Sequence, residues 1–153
     1  FKDGLLKKWL HDAALEGYEV VLLDGRALEE VGQMLEDEGL CHFVLGLYFI
    51  CDPQVGARRT LGFAAKPYDG LNEAEKESVE MLMEQMRVRN EADRVRTVHP
   101  VIPPANAPTF VLPTTGELSA SGRAMAIIDT SGEMTKAAMT APVAELTAQI
   151  LAK

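Results

Sequence analysis

Apolar and polar positions alternate along this chain in two rhythms. Leu5, Leu6, Trp9, Leu10 and Ala13 recur at helical spacing with Lys7, Lys8 and Asp12 between them, which predicts a helix over Gly4–Glu16 stopped by Gly17. Val20–Leu23 is a short unbroken apolar run ending in Asp24-Gly25-Arg26, the pattern of a strand buried on both faces. Ala27–Glu38 returns to the helical rhythm, with Leu28, Val31 and Leu35 inward and Gly39 closing it. Phe43–Ile50 is a second buried-strand candidate. Asp52-Pro53 then opens a helix with a capping carboxylate and a proline at the first helical position. That helix carries Arg58 and Arg59.

Gly62–Gly70 is expected to be a loop. A long helix follows from about Leu71 to Arg96, with Val79, Leu82, Met83 and Met86 as its inward stripe. His99–Thr115 holds Pro100, Pro103, Pro104, Pro108 and Pro113 and is expected to be extended and irregular. Ala124–Ile128 is the third strand, ending at Asp129-Thr130-Ser131-Gly132. The last helix is expected from about Pro142, burying Val143, Leu146, Ile150 and Leu151. This order predicts a single α/β domain over residues 1–153, a parallel sheet flanked by helices. In such sheets ligands bind beyond the carboxyl ends of the strands, so Asp24-Gly25-Arg26, Asp52-Pro53 and Asp129-Thr130 are the first places to look.

Composition narrows the classes. With 153 residues, 47% hydrophobic and 25% charged, the chain suits one folded domain rather than a disordered or fibrous one. No apolar run reaches the roughly 18 residues of a membrane span. Fifteen Lys and Arg against 23 Asp and Glu leave a formal charge of −8, which argues against generic binding of nucleic acid or anionic lipid. Cys41 and Cys51 are the only cysteines, too few for a disulfide framework, so an intracellular, reducing compartment is expected, cytoplasm or organelle matrix. The chain begins with Phe1 and carries no secretory signal pattern, so a processed or truncated portion of a longer polypeptide is expected.

Candidate chemistry concentrates in the arginines. Arg89, Asp93 and Arg96 stand at i, i+4 and i+7 and share one helical face, where two guanidinium groups flanking a carboxylate suit a phosphorylated sugar. An ion-paired solvated helix accounts for the same spacing, and the spacing alone favours it. Arg26 follows a strand and a glycine and is aimed at the crevice, although turns after strands often have this composition. Arg58 and Arg59 diverge by about 100° on a helix, so a single ligand meets both only if a second surface closes over it. His11, His42 and His99 have no metal-ligand spacing to one another or to the cysteines. No Gly-x-x-x-x-Gly-Lys-Ser/Thr and no Gly-x-Gly-x-x-Gly opening a helix occurs in these residues.

The stretch Asp93-Arg94-Val95-Arg96-Thr97-Val98-His99-Pro100, continued by Pro104-Ala105-Asn106-Ala107, resembles the C-terminal signature of bacterial-type cytidylate kinases, with Arg89 at the place of the pattern's first arginine. Val21–Arg26 resembles that family's strand ending in Asp-Gly-Arg. Leu47–Ile50 with Ala57-Arg58-Arg59 resembles its next strand and arginine-bearing lid helix, and Ile127–Ser131 its closing strand. The resemblance covers most of residues 20–151. It implies a P-loop nucleoside-monophosphate-kinase-like fold, incomplete at the N-terminus, that transfers a phosphoryl group from ATP to CMP or dCMP with Mg²⁺. It further implies that Arg26 grips the CMP phosphate, Arg89 and Asp93 contact the ribose, Arg96 helps hold the base, and the catalytic Arg58 and Arg59 close over the transferring phosphates.

Three departures accompany the resemblance. Ala27 stands where the family places a cytosine-reading Asp. Residues 108–123 are an insertion relative to the family. The family's P-loop strand and helix have no counterpart here. The expected function is therefore cytidylate-kinase-like phosphoryl transfer if a P-loop segment is supplied from outside these residues. The alternative is a degenerate, non-catalytic subunit with a scaffolding role in a larger complex. A third reading is a free-standing module whose Arg-Asp-Arg face binds a phosphorylated ligand. Without the P-loop strand the sheet is expected to be open, and an additional segment, a partner chain or a large assembly is expected to cover it.

Overall fold

The computed structural model of the chain describes residues 2–25, 28–96, 101–118 and 123–152. Helix α1 spans Lys2–Leu15, α2 Leu28–Asp37, strand β1 Leu45–Ile50, α3 Pro53–Thr60, α4 Glu73–Arg94, β2 Thr109–Val111, β3 Ala124–Asp129 and α5 Lys136–Leu151. The strands form one parallel sheet in the order β1-β3-β2, with helices packed against it. Leu45 pairs with Ala124 and Ile50 with Asp129, while Thr109 pairs with Ile127.

The expected pairing of β1 with β3 is observed, but Val20–Leu23 is not a strand. Among the described residues no neighbouring strand takes its backbone groups, and an apolar run without a ladder partner has no reason to adopt sheet geometry. Val21 and Leu23 pack on the α1–α2 core, while Val20 and Leu22 remain 50% and 77% exposed. The third strand comes instead from the proline-rich connection expected to be irregular. Thr109, Phe110 and Val111 are good strand formers, and the Pro108 carbonyl accepts from the Ile127 amide at 2.8 Å. Proline lacks a donor but keeps its acceptor, so Pro108 can begin an edge ladder.

Burial also departs from expectation. In β3 every second residue is buried, but β1 is only half-buried and ends with Phe49 55% exposed. Ala124, Ala126 and Ile128 of β3 meet Leu146 and Ile150 of α5, with Leu112 and Leu118 closing the side. Helix α5 begins earlier than expected, capped by the Thr135 hydroxyl on the Ala138 amide, and Pro142 lies inside it. Val143 is half-buried and Leu151 exposed, so the stripe turned inward is narrower than its apolar content.

Two further cores flank this one. Ala57 of α3, Leu71 just before α4 and Val79 of α4 form the second, with Leu82, Met83 and Met86 as expected. A capping box between Asn72 and Glu75 sets the start of α4. Leu10, Val31 and Leu35 form the third, between α1 and α2. Leu5 and Trp9, expected inward, are exposed, while Leu6 and Leu10 of α1 pack on α2.

Phe43 joins the helical pair to the sheet. A Cβ added at Gly32 of α2 would lie 2.5 Å from its ring, so only glycine lets the helix approach so closely. The Arg123 guanidinium sits over the same ring at 4.0 Å, and one of its terminal NH₂ groups donates to Glu36 at 2.6 Å. Glu36 in turn accepts from the Phe43 amide.

Candidate functional site

The carboxyl ends of β1 and β3 bring two loops together. Asp52 caps α3, its carboxylate accepting from the Gln54 and Val55 amides. The Asp52 amide donates to the Ser131 hydroxyl at 2.7 Å, and the Thr130 hydroxyl donates to the Ile50 carbonyl at 3.0 Å. Asp129 accepts from the Ser131 amide at 2.9 Å. Bonds from the Ser131 hydroxyl and then the amide hold the Asp129 carboxyl below its ordinary pKa. The strand-end positions Asp52 and Asp129 are thus cross-linked structural groups.

Helix α3 carries its arginines into this knot. Arg59 donates to the Gly132 carbonyl at 2.7 Å and to the Cys51 sulfur at 3.5 Å. Arg58 is 4% exposed and donates to the Lys66 carbonyl and, at 2.8 Å, to Glu133. Glu133 is 70% exposed, so the ion pair has one buried and one solvated partner. Among the described residues nothing accepts a hydrogen bond from the buried Arg58 Nε. Both arginines therefore meet the β3–α5 loop, at Glu133 and Gly132. Glu133 carried no sequence signal, because the contact spans 75 residues.

The other expected residues lie on α4 or outside the described residues. Arg89 is exposed and has no ion pair or hydrogen bond among the described residues. Asp93 is 7% exposed and its carboxylate lies 3.9 Å from Arg96, which sits just past the end of α4. The Asp93 carbonyl also accepts from the Val101 amide at 3.0 Å, which ties this end of α4 to Val101. Arg26, Ala27 and the Thr97–Pro100 part of the signature lie outside the described residues.

Among the described residues no three His, Cys, Asp or Glu side chains converge as a metal set. An open hollow of about 670 Å³ lies beside the knot, lined by Leu22, Phe49, Leu112, Met139, Val143 and Leu151. Its walls suit apolar groups, not a phosphate. Among the described residues no helix is long and apolar enough to cross a membrane.

Comparison with protein-family models, with curated proteins and with solved structures yields no match to this chain.

Proposed function

We propose that the chain is a cytidylate-kinase-like portion of a phosphoryl-transfer protein, active on CMP or dCMP only with an ATP- and Mg²⁺-binding P-loop segment supplied from outside these residues. The observation that carries this reading is the placement of Arg58 and Arg59. Helix α3 starts directly after β1 and returns both guanidinium groups to the carboxyl end of the parallel sheet, where α/β proteins bind ligands. Fixed positive charge there suits an anionic ligand. Exposed Glu133 is the group that a phosphate displaces from Arg58. Arg89, exposed on α4 and without a partner among the described residues, can meet a ligand hydroxyl or phosphate. The half-exposed β1 and the apolar hollow support a covering segment or partner chain over the sheet.

A second reading is a non-catalytic subunit in a larger assembly. It is favoured by the engagement of Arg58 and Arg59 with Lys66, Glu133, Gly132 and Cys51, which makes them ties between loops.

Calorimetric titration with CMP separates the two. Under the first reading the chain binds CMP, Arg89→Ala weakens binding more than Lys153→Ala, and Glu133→Gln strengthens it by releasing Arg58. Absence of binding, or equal affinities for all variants, favours the structural subunit. A coupled assay for ADP release is expected to show no turnover by this chain alone. Turnover near the ~1–100 s⁻¹ of kinases would overturn the requirement for an added P-loop.

A further inference from the structure

Arg58 and Arg59 bond to two consecutive residues of the β3–α5 loop, Glu133 at 2.8 Å and Gly132 at 2.7 Å. Ser131 stands just before these two and is bonded to both sides of the contact. Its hydroxyl accepts from the amide of Asp52, the residue that caps α3, at 2.7 Å. Its amide donates to the carboxylate of Asp129, the last residue of β3, at 2.9 Å, and its hydroxyl proton goes to the same carboxylate. One side chain thus links the end of β3, the loop that holds the acceptors and the helix that holds the donors, across 79 positions of sequence. A hydroxyl suits this place because it accepts one bond while donating another.

Thr130 ties the same loop one residue earlier. Its amide and hydroxyl both donate to the Ile50 carbonyl, at 2.9 and 3.0 Å, which joins the ends of the two strands. The bond from Asp52 to Ser131 does something different: it fixes where α3 begins relative to the loop. Asp52 passes that position on, since its carboxylate accepts from the Gln54 and Val55 amides in the first turn. The arginines follow about one turn later. Their contacts have little slack, because N–H···O bonds span only about 2.7–3.2 Å. A misplacement of about 1 Å is enough to spoil a binding site.

We propose that Ser131 is the positioning residue of the arginine pair: its hydroxyl sets α3 against the β3–α5 loop and so holds both guanidinium groups at the carboxyl end of the sheet. Ser131 touches no ligand in this role and acts through the helix and the loop. The consequence for an anionic ligand rests on the function proposed above, whereas the placement of the arginines rests on the hydrogen bonds alone.

The arginine side chains report their own placement. A guanidinium held by two acceptors turns slowly about its Nε–Cζ bond and a solvated one turns fast, which ¹⁵N spectra of the terminal NH₂ groups distinguish. Arg58 and Arg59 should be slow in the wild-type chain and exposed Arg89 fast, with Arg58→Lys and Arg59→Lys assigning the signals. Ser131→Ala should bring both arginines to the rate of Arg89, and Ser131→Thr, which keeps a hydroxyl, should restore slow rotation. In titrations with CMP the alanine variant should bind about three- to tenfold more weakly and the threonine variant as the wild type does. Thr135→Ala removes the cap on the Ala138 amide of α5 without touching these bonds, so it controls for lost stability and should leave the arginines slow. Rotation unchanged by Ser131→Ala overturns the proposal. So does equal release by Thr135→Ala, or failure of Ser131→Thr to restore slow rotation. A wild-type chain that binds no CMP while Ser131→Ala releases its arginines supports the positioning role and overturns the CMP reading instead.

Discussion

The α1–α2 pair and the α/β unit from β1 to α5 are held together by different physics. The helical pair depends on contacts nearer in sequence: Leu10, Val31 and Leu35 lie within 25 positions of one another. In the α/β unit, β1 and β3 pair at a separation of about eighty residues, and the loops at their ends are stitched over similar distances. The pair is joined to the sheet by Phe43, lodged against Gly32 and clamped by Arg123 and Glu36. Local patterns thus build one part and long-range pairing the other, with a small polar and aromatic latch between them. Two parts so joined can open separately.

The largest test of that contrast is in the cores. Ile128 and Leu35 are both fully buried, and truncating either to alanine should cost about 2–5 kcal/mol. The distribution of the damage should differ. Hydrogen exchange on Leu35→Ala is expected to show lost protection in α1 and α2 with β1 and β3 still protected. Ile128→Ala should release the sheet and α5 together. Identical exchange patterns would mean that the two parts are one cooperative unit.

A smaller effect is expected at the latch. Arg123→Ala removes the bond to Glu36, the bond to the Phe43 carbonyl and the stacking on its ring, at a cost of about 1–3 kcal/mol in denaturant unfolding. It should also accelerate exchange in α2 more than in α5. Equal acceleration would remove the latch from the comparison.

The smallest effect concerns the knot at the sheet's carboxyl end. The Asp129 carboxyl is held below its ordinary value, so it binds a proton less readily folded than unfolded. Its contribution is present above the unfolded aspartate pKa of about 3.9 and is lost as pH falls through the lower folded value. Ser131→Ala removes the hydroxyl bond and should flatten that part of the thermal-stability profile below about pH 4. An unchanged acid limb would show that Ser131 does not hold the carboxylate.

Much of the helical content was legible because a helix is decided by neighbours three and four residues away. Val31 and Leu35 of α2, the stripe of α4 and the Asp52-Pro53 start of α3 lie where the pattern places them, while the side chain of Leu28 lies outside the described residues. Strands were legible only as candidates. Val20–Leu23 and Leu45–Ile50 carry similar apolar runs, yet among the described residues only the second has a partner for its ladder. Thr109–Val111, hidden among prolines, becomes a strand because β3 offers it an edge.

The site divides in the same way. The residue types at the strand ends, and the face shared by Arg89 and Asp93, follow from sequence and helical geometry alone. Only tertiary packing decided that Arg58 and Arg59 meet Glu133 and Gly132, that Asp93 is buried while Arg89 stays exposed, and that Phe43 joins the two parts. A capping carboxylate acts within one turn of chain. A guanidinium reaches whatever acceptor the fold brings near it, and pairing across dozens of residues leaves no periodic trace in the sequence.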